Sequence, residues 1–207
     1  MSIFKEHLYD IVKLYINQIG ITIFSVFLYT AIPTKDDSLF DTLRIIVSVF
    51  SILFYIVLIY NVVWELGAKD RIRIDSKGYA PKPLKGMVLA LFANLPNLVL
   101  AATAVIFGLI YVYGGAEWAS SVFAVIFMIV KLHAAMYMGV VQGVTPAAPA
   151  DPADIAVFND AILESVWFIV LPLVAVAITQ LSYWLGTREY KIFGFLSSKK
   201  STDKDKK

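Results

Sequence analysis

From Thr42 to Leu66 the chain is almost unbroken apolar sequence, charged only at Arg44 near its start and at Glu65 near its end. A helix needs about 20 such residues to cross the hydrocarbon core of a bilayer, because backbone groups surrounded by lipid must find their partners within the segment. Comparable runs extend from about Leu14 to Ile32, from Gly86 to Tyr113 and from Ala161 to Gly186. Composition agrees: 59% of the 207 residues are hydrophobic, 16% are charged and mean hydropathy is +0.73, outside the range of water-soluble domains. The period-2 alternation of barrel strands is nowhere evident. The fold class is therefore all-α: a polytopic helical membrane protein, with residues 1–207 forming a single integral membrane domain.

Charge placement sets the expected orientation. Between Gly67 and Lys85 the six basic residues Lys69, Arg71, Arg73, Lys77, Lys82 and Lys85 face only two acids, Asp70 and Asp75. The tail 187–207 holds seven basic residues against three acids, whereas Thr34 to Asp41 carries Lys35 against Asp36, Asp37 and Asp41. By the positive-inside tendency the 67–85 loop and the tail are cytoplasmic, as is the N-terminus, and the protein is expected in the plasma membrane. Residues 1–13 place Phe4, Leu8, Ile11 and Val12 on one helical face, which suits an interfacial helix or the water-side extension of the first span. Arg71 to Asp75 alternates like a short strand and Ser76-Lys77-Gly78 offers a turn, so a small hairpin is expected in the basic loop. That loop is read as contacting anionic lipid headgroups or a protein partner through its six basic side chains.

The run from Ser120 to Val144 is the difficult one, since Lys131 and His133 lie near its middle. As a fifth full span it would make residues 145–160 cytoplasmic, although they hold Asp151, Asp154 and Asp160 and no base, and it would put the basic tail outside. Ser120 to Val130 alone is too short to cross. Four transmembrane helices plus a re-entrant or partly inserted segment over 120–144 satisfy the charge rule, with five spans as the alternative. Irregular backbone at membrane depth is tolerated only inside protein or beside a wet cavity, so the re-entrant reading predicts a shielded polar region near Lys131 and His133.

Two prolines lie within expected spans. Pro96 and Pro172 lack an N–H and should kink their helices, freeing the carbonyls of Phe92 and Phe168. Asn94 and Asn97 are three residues apart and share a helix face near Pro96, available to meet the freed carbonyl and to bond across to another helix. Glu164, in the first turns of the last span, is an available partner for Lys131 or His133. Asn94, Asn97, Lys131, His133 and Glu164 form the candidate intramembrane polar site. Asn17 and Gln18 are read as interfacial or helix-contact groups. Ala104 with Gly108, and Gly139 with Gly143, are small-xxx-small pairs suited to close helix packing. Residues 145–160, with Pro146, Pro149 and Pro152, read as a stiff spacer.

Cysteine is absent, which excludes disulfides and thiol chemistry. Two histidines cannot build a histidine-rich metal site, and no P-loop, dinucleotide fingerprint, HExxH or GxSxG is present. No cofactor, metal or catalytic residue is expected, and nucleic acid is not, since the basic loop lacks a recognition helix and stacking aromatics. The sequence reading is a non-enzymatic integral membrane protein, either the membrane subunit of a larger assembly or a small carrier. The alternatives are a small-molecule or ion site in the bundle near Asn94, Asn97, His133 and Glu164, and then a membrane-embedded enzyme.

Overall fold

The computed structural model describes residues 7–32, 37–78, 80, 82–145 and 155–192. Among the described residues six α-helices follow in order: α1 Leu8–Thr30, α2 Asp37–Lys77, α3 Lys85–Gly114, α4 Glu117–His133, α5 Met138–Val144 and α6 Ile155–Thr187, with a 3-10 turn at Ala135–Tyr137 between α4 and α5. The helices α1, α2, α3 and α6 are each long and apolar enough to cross a membrane. The pair α4–α5 meets that test only as a unit, bent by 79° at its break. The protein is thus an all-α polytopic membrane protein with four or five candidate spans.

The bundle is arranged oppositely to a soluble core. Large apolar side chains such as Ile16, Phe27, Leu53, Val99, Ile106 and Val174 lie on the outside, whereas Gln18, Ser25, Ser48, Ser51, Asn97 and Ser165 are completely buried. Lipid is as apolar as leucine, so burying leucine gains little; small residues that let backbones approach, and polar ones that bond across, hold such helices together instead. Ala101 and Ala104 of α3 are fully buried, and Gly108 packs against Ile162 of α6. The hydroxyls of Ser25, Thr103, Ser165, Thr179 and Ser182 each donate to the carbonyl four residues earlier, which satisfies them within their own helices.

At 41 residues, α2 is about 60 Å long and outreaches a hydrocarbon core. Here the hairpin expected over Arg71–Asp75 is corrected: the helix continues to Lys77, so much of the expected 67–85 loop is helical. Ion pairs four apart staple it, Glu65–Lys69 at 2.7 Å and Arg71–Asp75 at 2.8 Å, a spacing that a period-2 reading overlooks. Of the expected turn Ser76-Lys77-Gly78, Ser76 and Lys77 stay helical, and Gly78 ends the helix at φ +62° with its N–H closing on the Ile74 carbonyl. Of the expected N-terminal segment 1–13, residues from Leu8 onward belong to α1. Residues 1–6, Pro33, Lys35, Asp36, Pro81, Pro146, Pro149, Asp151, Pro152, Asp154 and the tail beyond Ile192 lie outside the described residues.

Candidate functional site

The break between α4 and α5 has no proline in it; Ala134 departs from helical geometry at φ −110°, ψ 23°. A broken helix leaves backbone groups that lipid cannot satisfy. Three hydroxyls from α1 and α2 meet them. Thr22 donates to the His133 carbonyl at 3.1 Å, Ser48 donates to the Met136 carbonyl at 2.6 Å, and the Gly139 N–H donates to the Tyr29 hydroxyl at 3.1 Å. Gly139 packs against the backbone of Arg44, and Gly143 against Ile45, so the expected glycine pair lies on α2.

These contacts come from stripes at helical spacing. Tyr15, Gln18, Thr22, Ser25 and Tyr29 recur every three or four residues along α1, and Arg44, Ser48, Ser51 and Tyr55 do so along α2. Each helix therefore turns a polar face toward the bent segment. Tyr15 stacks obliquely on His133 with ring centroids 5.8 Å apart, and Thr22 bonds the same residue's carbonyl, so Gln18, one turn from each, faces the break.

Along this seam a set of buried polar atoms has no hydrogen-bond partner among the described residues. It comprises both amide atoms of Gln18, the Ser51 hydroxyl, the side-chain oxygens of Asn94 and Asn97, His133 Nε2 and the Tyr137 hydroxyl. Gln18 and Asn97 are completely buried. Asn94 donates to the Ala90 carbonyl at 3.0 Å and lies beside the Tyr55 side chain, and Tyr137 lies near Tyr55. The seam thus joins residues of α1, α2, α3 and the bent segment.

Asn97 makes the expected bond across to another helix, but to a different carbonyl from the one freed beside it. Its amide reaches across to the Phe168 carbonyl at 3.4 Å. That carbonyl is the one freed by Pro172, not the one freed by Pro96, because α3 and α6 pack side by side with their prolines at similar depth. Both helices run on through Pro96 and Pro172.

Lys131 and Glu164 are brought together on the other side of α4. The ammonium lies 2.9 Å from the carboxylate and 4.3 Å above the Phe127 ring. A groove of about 570 Å³ opens beside them between α1, α4 and α6, lined chiefly by Phe123, Phe127, Met128, Leu132, Val157 and Phe158. The five expected residues therefore fall into two groups: Asn94, Asn97 and His133 on the polar seam, and Lys131, which lines the groove, with Glu164 paired to it. Gln18, Ser51, Tyr55 and Tyr137 were missed as site residues, although the polar stripe of α1 could have been read from its spacing.

The basic end carries a further arrangement that the sequence concealed. Lys85, almost fully buried, donates to Asp70 at 2.6 Å, and the Tyr183 hydroxyl donates to the same oxygen at 2.9 Å. Around it the helices approach closely: a Cβ on Gly67 or Gly186 would run into the backbone of the facing helix. Gln180 of α6 accepts from the Met87 N–H at 2.8 Å and donates to the Pro83 carbonyl at 2.7 Å, serving the first turn of α3, whose own N-cap Leu84 offers no side-chain bond. Beyond α6, Trp64 donates to the Tyr190 carbonyl at 2.8 Å and the Ile192 N–H donates to the Tyr60 hydroxyl at 2.8 Å, which holds residues 190–192 against α2.

Among the described residues no three His, Asp or Glu side chains converge as metal ligands would. No protein-family model matches the chain, and comparison with curated proteins and with solved structures gives no match.

Proposed function

We propose that this protein is a small membrane carrier that accepts a neutral, hydrogen-bonding solute at the polar seam. The observation that carries the reading is Gln18, completely buried with neither amide atom partnered among the described residues. An unmet buried amide costs about 1–3 kcal/mol, and the seam holds several such groups. Packing alone gives no reason to keep them, which favours a carrier over a membrane subunit. Their chemistry suggests the ligand class: amide, hydroxyl and imidazole groups offer both donors and acceptors, while the neighbouring charges Lys131 and Glu164 already neutralise each other. A charged solute would lack a counterion there.

The reading takes α4–α5 as a re-entrant segment. Two rulers support it. From His133 to Gly139 the partner on α1 moves from Thr22 to Tyr29, about 10 Å away from the basic end, and from Met136 to Gly139 the partner on α2 moves from Ser48 to Arg44 in the same direction. The chain after the break therefore heads back toward the end where α4 began. Single cysteines at Glu117 and Val144 should label from the same side of the membrane with an impermeant thiol reagent, and one at Lys77 from the other. Labelling of Glu117→Cys and Val144→Cys from opposite sides would make the segment a fifth span.

The carrier reading is tested by purified protein in liposomes, with shrink–swell light scattering across small neutral solutes such as urea and glycerol and, for contrast, potassium chloride. Protein-dependent flux of a neutral solute is expected, and Gln18→Leu should reduce it at least tenfold while thermal stability holds or rises. A structural amide behaves oppositely: Gln18→Leu would lower stability. That result, or no flux above protein-free liposomes for any neutral solute, removes the proposal.

A further inference from the structure

At the basic end, away from the polar seam, a cleft of about 660 Å³ opens between α1, α2 and α3 and the residues joining α2 to α3. Lys69, Arg73, Lys77, Lys82 and Lys85 line it against two carboxylates, Asp10 and Asp70. Both carboxylates are already engaged. Asp10 lies 3.2 Å from His7, and Asp70 takes Lys85 and Tyr183 on one oxygen. Arg73 lies 3.8 Å from the other Asp70 oxygen and Lys69 lies 2.7 Å from Glu65, so wall cations are themselves paired, and the cleft stays net positive because five cations line it against two carboxylates.

Lys69, Arg73 and Lys77 follow one another at every fourth position on α2, so a single wall of the cleft carries one cation per turn, about 6 Å apart, and Lys82 stands on the connection beyond Gly78. Cations at that spacing can share one multiply charged group, and the arginine fork pairs with phosphate oxygens two at a time. The position of the cleft points to the source of that phosphate. Leu66 lines it, and Tyr60 and Trp64 lie within two turns of Leu66 on α2, so the cationic wall rises directly from the level that aromatic residues mark as the membrane boundary. Leu66, at the membrane end of this wall, adds the apolar surface suited to the upper part of an acyl chain.

We infer that this cleft is a binding site for the phosphomonoester headgroup of an anionic membrane lipid. It goes beyond diffuse attraction of basic residues to a negative surface, because it calls for a dianionic group held within walls from three helices, and it does not depend on the carrier reading.

The test uses the full chain in neutral detergent, with binding measured by calorimetry. The probes are dioctanoyl phosphatidic acid, which carries a phosphomonoester, dioctanoyl phosphatidylglycerol, which carries a phosphodiester, and glycerol 3-phosphate, which has the headgroup chemistry without chains. Phosphatidic acid should bind at least tenfold more tightly than either of the others. Arg73→Gln with Lys77→Gln should weaken it at least tenfold, and Lys77→Gln alone, at an exposed position, should weaken it severalfold. Arg188→Gln with Lys191→Gln removes the same charge from the same end but outside the cleft lining, and should change binding less than twofold. Equal binding of the two lipids, or equal loss in the two double variants, would reduce the site to surface electrostatics. Equal binding of glycerol 3-phosphate would assign the cleft to a soluble phosphate compound instead of a lipid.

Discussion

The basic end of the bundle and the seam around the broken helix use polar groups in opposite ways. At the basic end the groups around Asp70 and Gln180 are matched: Lys85 and Tyr183 meet on Asp70, Gln180 serves both ways at the start of α3, and glycines bring backbones into contact. At the seam the backbone of the break is matched, by Thr22, Ser48 and Tyr29, while Gln18, Ser51 and Tyr137 and the oxygens of Asn94 and Asn97 have no partner among the described residues. The difference teaches where each region's polar residues act. In a membrane a matched set fixes helix positions, and an unmatched set persists only where something other than packing requires it.

The largest effect that would break this comparison lies at Lys85. Its ammonium is almost fully buried beside Asp70, whose other oxygen has only the exposed Arg73 at 3.8 Å, so removing Lys85 leaves a poorly compensated buried charge, which costs about 3 kcal/mol. Lys85→Met should lower stability by that amount in detergent unfolding followed by circular dichroism. Adding Asp70→Leu should recover most of the loss, because the cost belongs to the stranded carboxylate rather than to the missing attraction. A single variant with little effect would mean that Asp70 is hydrated, and that the basic end is held by its glycine contacts alone.

The sequence reveals the spans and hides this pair, and the reason is physical. Spans are local: Thr42 to Leu66 declares itself by length and hydropathy without reference to any other segment. Lys85 and Asp70 meet only because α2 continues helically past the membrane boundary and turns at Gly78, and the alternation of Arg71 to Asp75 suggested a strand there instead. The break at Ala134 is equally silent, with no proline or glycine to announce it; the conflict of charges around residues 120–144 was the only sign. Asn94, Asn97 and His133 were legible because a polar residue in an apolar run stands out, whereas Ser51 and Tyr55 belong to an ordinary membrane helix until their spacing with Arg44 and Ser48 is counted. The partner of Asn97 required the relative depth of two helices, which no single span encodes.

The smallest effect sharpens the comparison at the place where the two regions meet. Asn97 belongs to the unmatched seam through its oxygen, yet its amide nitrogen serves the Phe168 carbonyl that Pro172 leaves open. If that service is its structural share, the two residues are coupled through one carbonyl. Asn97→Ala in the native background should cost about 1 kcal/mol, since it removes a long hydrogen bond and leaves a carbonyl unmet in a low-dielectric interior. Pro172→Ala restores an N–H four residues beyond Phe168 and gives the carbonyl an ordinary helical partner. In that background Asn97→Ala should cost less, by about 0.5 kcal/mol or more, a coupling that a double-mutant cycle resolves. Strict additivity would mean that the 3.4 Å contact contributes nothing to stability, and Asn97 would then join Gln18 as a buried amide with no structural duty.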